Sequence, residues 1–173
     1  MKGVDKTEEF LKVYDTLADA IFRYCYYRVS DHDLAKDLAQ ETFTRSWKYI
    51  ADGKEIKNMR AFLYRVASNL VIEEYRKKKS TPVSLDKMQE KGFDPGHDEG
   101  SRTKSIMEGK DILMLLEKLE FEHSDVIIMR YINELSLKEM AEILGESENT
   151  ISVRIHRALK QVRVLLENHE KHV

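Results

Sequence analysis

Cysteine is nearly absent from this chain. Cys25 stands alone, so no disulfide can form within it, and it reads as a small buried apolar residue rather than a reactive thiol. Proline and glycine are also scarce, at two and seven in 173 residues. That excludes collagen-like and low-complexity chains. No stretch alternates apolar and polar residues, so there is no strand signal, and no internal repeat occurs. No apolar run approaches the roughly 20 residues that cross a bilayer. The opening "MKGVDKTEEFLKVYD" carries charges where a secretory signal would be apolar. A cytoplasmic protein without membrane insertion is therefore expected. The six histidines (32, 97, 123, 156, 169, 172) are scattered and lack cysteine partners at zinc spacing. No cofactor, metal or catalytic residue is expected.

Charge is what the sequence has in abundance. Charged residues make up 35% of it and apolar ones 42%, a helix-rich globular composition. The net charge is only −2, but it is unevenly spread. Residues 1–79 hold 16 basic and 13 acidic side chains, whereas residues 108–173 hold 9 and 13. Even so, Thr150 to Leu166 contains four Lys and Arg and no acid. An acidic chain with local basic stripes suits a DNA reader that does not bind DNA alone.

Apolar periodicity divides the chain. Glu8–Val29 places Phe10, Val13, Tyr14, Leu17, Ile21 and Phe22 at helical spacing. Ser30 and Asp31 break it. Asp33–Ile50 is a second helix, with Leu34, Leu38, Phe43, Trp47 and Ile50 as core candidates. A loop over 51–58 precedes a third helix, Met59–Lys79. Residues 80–105 contain both prolines and three glycines with almost no periodicity, and read as a linker. Helices resume near Ile106, with Ile112, Leu113, Leu115, Leu116 and Leu119 on one face, and Ser124 is expected to cap a short helix through Tyr131. The fold class is all-α: two small helical domains, 1–79 and 108–173, joined by a flexible linker over 80–107.

The second domain carries the sharpest local pattern. Ser136-Leu-Lys-Glu139 is a capping box ahead of an apolar face of Leu137, Met140, Ala141 and Leu144. Gly145 stands where a helix end calls for a left-handed residue, and Ser147 caps the next helix. This is a helix-turn-helix. On a wheel of about 100° per residue, Ile151, Ile155, Ala158, Leu159, Val162, Leu165 and Leu166 form the core face of the second helix. Ser152, Val153, His156, Arg157 and Lys160 share the opposite side, with Arg154 on its flank. A lone surface valine is unremarkable in itself. In a DNA major groove, however, it can meet a thymine methyl while its polar neighbours meet base edges or phosphates.

Two further stripes lie in the first domain. Asp33, Asp37 and Glu41 recur every fourth residue, with Gln40 beside them. Such a stripe is either a solvated face or a docking face for a basic helix. On the third helix, Arg65, Asn69 and Arg76 fall within about 40° of one another, next to the run Arg76–Lys79, and suit phosphate contact. Tyr64 and Tyr75 can stack on unpaired bases, although Tyr64 sits among apolar neighbours, which favours the core.

"LSLKEMAEILGESENTISVRIHRALKQVRVLL" resembles the promoter-reading C-terminal domain of bacterial sigma factors, and most of all the extracytoplasmic-function (ECF) group of the sigma-70 family. "DLAKDLAQETFTRSWKYI" resembles that group's polymerase-binding helix. "NMRAFLYRVASNLVIEEYRKKK" resembles its promoter-melting, minus-10-reading helix. The resemblance implies that Asp37, Gln40 and Glu41 meet the β′ clamp helices of core RNA polymerase, with further contact to the β subunit. It implies minus-10 contacts by Asn58, Arg60, Arg65, Asn69, Arg76 and Lys77, with Asn58 in the loop that holds a flipped-out base. It implies minus-35 contacts by Ser152, Val153, Arg154, His156, Arg157 and Lys160. Promoter DNA and an anti-sigma protein are the other implied partners. The expected function is that of a transcription initiation factor. Two other readings compete with it: a free-standing helix-turn-helix regulator, and a metal-dependent hydrolase using Asp33, Asp37, Glu41, Glu73 and Glu74.

Overall fold

The computed structural model describes residues 2–80 and 102–171, with side chains over 6–79 and 109–171. Every regular element among them is helical. The expected linker falls largely on residues 81–101, outside the described ones.

The first unit is a three-helix bundle of α1 (Lys2–Val29), α2 (His32–Ala51) and α3 (Met59–Ser80). Short side chains set its corners. Ser30 takes a positive φ of 55°, and Asp31 Oδ1 then accepts from Leu34 N at 3.1 Å to cap α2. Asn58 Oδ1 accepts from Ala61 N at 3.1 Å and caps α3. Ile21, Tyr24 and Cys25 of α1 pack with Ala35, Leu38 and Phe43 of α2 and with Leu63, Tyr64 and Leu70 of α3. Phe10 and Tyr14 close the bundle on Phe43, with ring centroids 6.3 and 4.8 Å away. Burial pushes the Cys25 thiol up to about 12, as fits an inert core residue.

The second unit comprises α4 (Arg102–Lys118), α5 (Phe121–Ile127), a π-helical turn (Ile128–Ile132), α6 (Leu137–Leu144) and α7 (Glu148–Lys171). The structure corrects several expectations here. Helix α4 begins at Arg102, ahead of Ile106, and Ile112 faces outward while Leu113, Leu116 and Leu119 are buried. Ser124 is not a cap. It lies inside α5, whose N-cap position is held by Glu120 without a side-chain bond. The Ser124 hydroxyl instead accepts from Arg28 Nη1 of α1 at 2.6 Å. The π turn that follows closes with Asn133 N donating to Ile128 O at 2.9 Å.

The helix-turn-helix forms as its sequence dictates. Glu139 N donates to Ser136 Oγ at 3.1 Å, and Ser136 N donates to Glu139 Oε2 at 2.8 Å. Gly145 adopts φ 66°, which costs a residue with a Cβ about 1 kcal/mol or more. Ser147 Oγ accepts from Thr150 N at 3.1 Å. Ile151, Ile155 and Ala158 are buried, and Leu159, Val162 and Leu165 are partly so, but Leu166 is 48% exposed. Ile143 joins Met140 in the core, which widens the buried face of α6 beyond the expected one.

The two units share a continuous core. Their joint is polar at its centre. Tyr24 Oη donates to Asp125 Oδ1 at 2.7 Å, and Asn133 Nδ2 donates to Ala20 O and Tyr64 Oη at 2.9 Å each. The Arg28 guanidinium lies over the Phe121 ring, 4.1 Å from its centroid.

Candidate nucleic-acid and polymerase interfaces

Three helix faces carry the candidate residues. On α2, Asp37 and Gln40 are exposed, and the buried Leu38, Ala39 and Thr42 on the opposite side hold the helix in place. Glu41 is half exposed and accepts from Arg45 Nε at 2.8 Å, and Arg45 also reaches Glu73 of α3 at 3.7 Å. The Glu41 hydrogen bond is the main reason that Arg45 holds its proton beyond its ordinary range. The acidic stripe therefore contains one locally neutralised member, while Asp37 and Gln40 point outward beside it.

On α3, Asn69, Arg76 and Lys77 are exposed, with Lys77 3.5 Å from Glu74. Tyr64 is fully buried, as its apolar neighbours indicate, so it presents no stacking surface. Tyr75 is partly exposed and packs on Phe121 at 4.8 Å. The N-terminal half of the stripe meets α6. Asn58 Nδ2 donates to Glu142 Oε2 at 3.0 Å, Arg60 lies 3.5 Å from Glu139 Oε1, and Arg65 Nη2 donates to Glu142 O at 2.5 Å. Sequence reasoning did not foresee these pairings, because each joins residues more than seventy positions apart.

On α7, Ser152, Val153, His156, Arg157 and Lys160 share one exposed face. The buried Ile151, Ile155 and Ala158 fix that orientation from behind. Arg154 is set apart. It donates to Glu146 at 2.7 Å and approaches Glu122 at 4.0 Å, with its side chain only 20% exposed. It ties the start of α7 to the turn and to α5.

Sequence reasoning also missed the buried network at the joint. Tyr24 and Asp125 are both buried, and burial is the main cause that pushes each group's proton affinity up. For Asp125, Arg28 and Tyr24 oppose that shift. The only local sign of the network is an acid, Asp125, on a helix turn otherwise flanked by Val126 and Ile127. Among the described residues, no three His, Cys, Asp or Glu side chains gather where they could hold a metal ion.

Comparison with known proteins matches both halves in order. A family model for sigma-70 region 2 matches residues 13–81, and one for sigma-70 region 4 matches residues 109–162. The ECF RNA polymerase sigma factor SigW of Bacillus subtilis is 31% identical over 179 residues, covering 97% of this chain and 95% of that protein. The ECF RNA polymerase sigma factor BldN of Streptomyces coelicolor is 28% identical over 165 residues, and the chain spans 61% of its length. The fold is similar to that of the sigma factor RpoE in its solved complex with the anti-sigma factor NepR from Bartonella quintana. That match has a TM-score of 0.70 at 22% identity and covers 92% of this chain and 98% of that one.

Proposed function

The chain belongs to the ECF sigma factors of the sigma-70 family, and from that premise we propose how its three faces divide the work of directing RNA polymerase to promoters. It is a transcription initiation factor that binds core polymerase and promoter DNA. The observation that carries this is the ordered pair of region 2 and region 4 matches, with the region 4 match ending in an open basic helix face. A free-standing regulator gives no reason for a region 2 match over residues 13–81.

The outward Asp37 and Gln40, with Glu41, form the docking face for core polymerase. Exposed carboxylates suit a basic helical partner through steering and charge-assisted hydrogen bonds. Asn58, Arg60, Arg65, Asn69, Arg76 and Lys77 of the first unit, residues 1–79, contact the minus-10 element and its opened strand. Ser152, Val153, His156, Arg157 and Lys160 of the second unit, residues 108–173, enter the major groove at minus-35. Arg154 holds the recognition helix at its entry angle and reaches minus-35 DNA if Glu146 releases it. The protein itself makes and breaks no bonds; nucleotide addition belongs to the polymerase. It acts in the cytoplasm, where the polymerase it serves works. An anti-sigma protein regulates it, as the NepR complex of the RpoE relative suggests.

Asp37→Arg tests the docking assignment. The site is exposed, so the fold should survive while retention by immobilised core polymerase drops at least about tenfold, as for a lost or reversed charge pair at a steered interface. Retention equal to wild type for both Asp37→Arg and Glu41→Arg would remove the α2 stripe from the interface.

A further inference from the structure

A cavity of about 230 Å³ lies at the joint, apart from the three faces described above. The first unit lines it from the end of α1 and the second half of α3, and the second unit from the end of α4 and the start of α5. Its apolar wall is mainly aliphatic: Val71, Leu116 and Leu119 are buried there and Val29 partly so. Phe121 and Tyr75 also line it, but their rings are already in use. They pack on each other with centroids 4.8 Å apart, and the Arg28 guanidinium covers Phe121 at 4.1 Å.

Arg28 is the polar anchor of this cavity, and its hydrogen-bonding capacity is not filled. Its side chain is only 3% exposed. Nη1 donates to Ser124 Oγ at 2.6 Å and to the Phe121 carbonyl at 3.3 Å, but Nε is buried without a hydrogen-bond partner. Asp125 stands 3.7 Å from Nε, too far for a hydrogen bond, and its Oδ1 already accepts from Tyr24 Oη. Burial also favours the protonated form of Asp125, which weakens the ion pair further. A guanidinium carries five N–H donors and cannot shed its proton, so its buried charge is relieved by an acceptor brought to it. A carboxylate matches the geometry of that fork.

We propose that this cavity binds a small aliphatic carboxylic acid, with the carboxylate on Arg28 and the hydrocarbon chain against Val71, Leu116 and Leu119. The volume lies below the roughly 300–1,000 Å³ of drug-sized pockets, which sets the ligand at metabolite size. The mouth sets its charge. Lys78 and Glu117 are exposed there and Glu74 partly so. Two carboxylates at the mouth repel a polyanion, so a monoanion fits and a nucleotide or sugar phosphate does not. With the ring faces of Phe121 and Tyr75 engaged, a flat aromatic acid finds nothing to stack on, and an aliphatic chain fits better. The occupant touches both units, so by mass action it stabilises the arrangement that holds both walls. None of the lining residues is assigned to polymerase or DNA, and the inference stands independently of those assignments.

The test titrates the full chain with hexanoate and follows the valine and leucine methyl resonances by NMR. Signals of Val71, Leu116 and Leu119 should shift saturably, with a dissociation constant of about 1 mM or below. Hexanamide has the same shape without the charge and should bind at least about tenfold more weakly, because a charge-assisted hydrogen bond is lost. Leu116→Phe puts a ring into the space the chain would fill and should abolish the shifts at Val71 and Leu119. Leu166→Phe makes the same change at an exposed position of α7 outside the cavity, and should bind hexanoate as wild type does. No saturable shift up to about ten times that concentration would overturn the proposal. Equal affinity for hexanoate and hexanamide would overturn it too, by showing that Arg28 takes no part. Unchanged binding by Leu116→Phe would place the ligand elsewhere and overturn it as well. If Leu116→Phe does not fold, the wild type still decides. Nuclear Overhauser contacts from hexanoate to the Val71 and Leu116 methyls would support the site, and contacts only to methyls outside the cavity would overturn it.

Discussion

Val153 is 43% exposed in the middle of a polar, basic face, with the buried Ile151 and Ile155 behind it. Its side chain therefore contributes little to the core, and Val153→Ala should change stability by less than about 0.5 kcal/mol. Discrimination at one A·T pair of the minus-35 element should fall, because the thymine-methyl contact is lost. Lys160→Ala should do the opposite: weaken every sequence alike and reduce the salt slope by about 1. Titrating holoenzyme on minus-35 variants at several salt concentrations separates the two. A Val153→Ala protein that is much less stable but equally selective would make Val153 a packing residue. At the joint, Asp125 is a buried carboxyl whose proton affinity is raised chiefly by burial. A raised folded value means that its stabilising contribution is complete below the ordinary 3.8 and is lost as pH rises through the folded value. Asp125→Asn keeps an acceptor for Tyr24 and removes the titration. Relative to that variant, wild type should lose stability in urea denaturation as pH rises above the ordinary 3.8. The reverse slope would mean that the attraction of Arg28 outweighs burial.

At the scale of elements, the parts legible in the sequence were those whose partners lie within a turn. The capping box spans four residues, and all its atoms meet as the residue types require. Ser136→Ala should therefore cost about 1 kcal/mol in chemical denaturation, and a loss below about 0.3 kcal/mol would mean that solvent replaces the cap. Gly145 and the Ser147 cap were legible for the same local reason. Ser124 was not, because a serine before an apolar run looks like a cap until Arg28 arrives from 96 residues earlier. Leu166 continues the apolar period of α7 but no described residue buries it, since periodicity records a helix face and not what lies opposite it. The widening at Ile128–Ile132 has no local signature at all.

At the scale of the molecule, the all-α class, the two units and the exposed stripes on the second, third and last helices could be read from periodicity and charge, while the roles proposed for those stripes come from the family resemblance. The way the units close on each other could not. The acids of α6 and the bases of α3 are of opposite sign, but many charge pairings in the chain would satisfy that condition equally well. Only the fold selects Glu139 for Arg60 and Glu142 for Asn58. The central claim is that this chain gives core RNA polymerase its choice of promoter. In vitro transcription of sheared genomic DNA, with core polymerase alone and with the protein added, followed by sequencing of RNA 5′ ends, tests it directly. The protein should create a discrete set of new start sites that share two upstream sequence elements, and Arg157→Ala should relax one of them. The same start sites with and without the protein would contradict it.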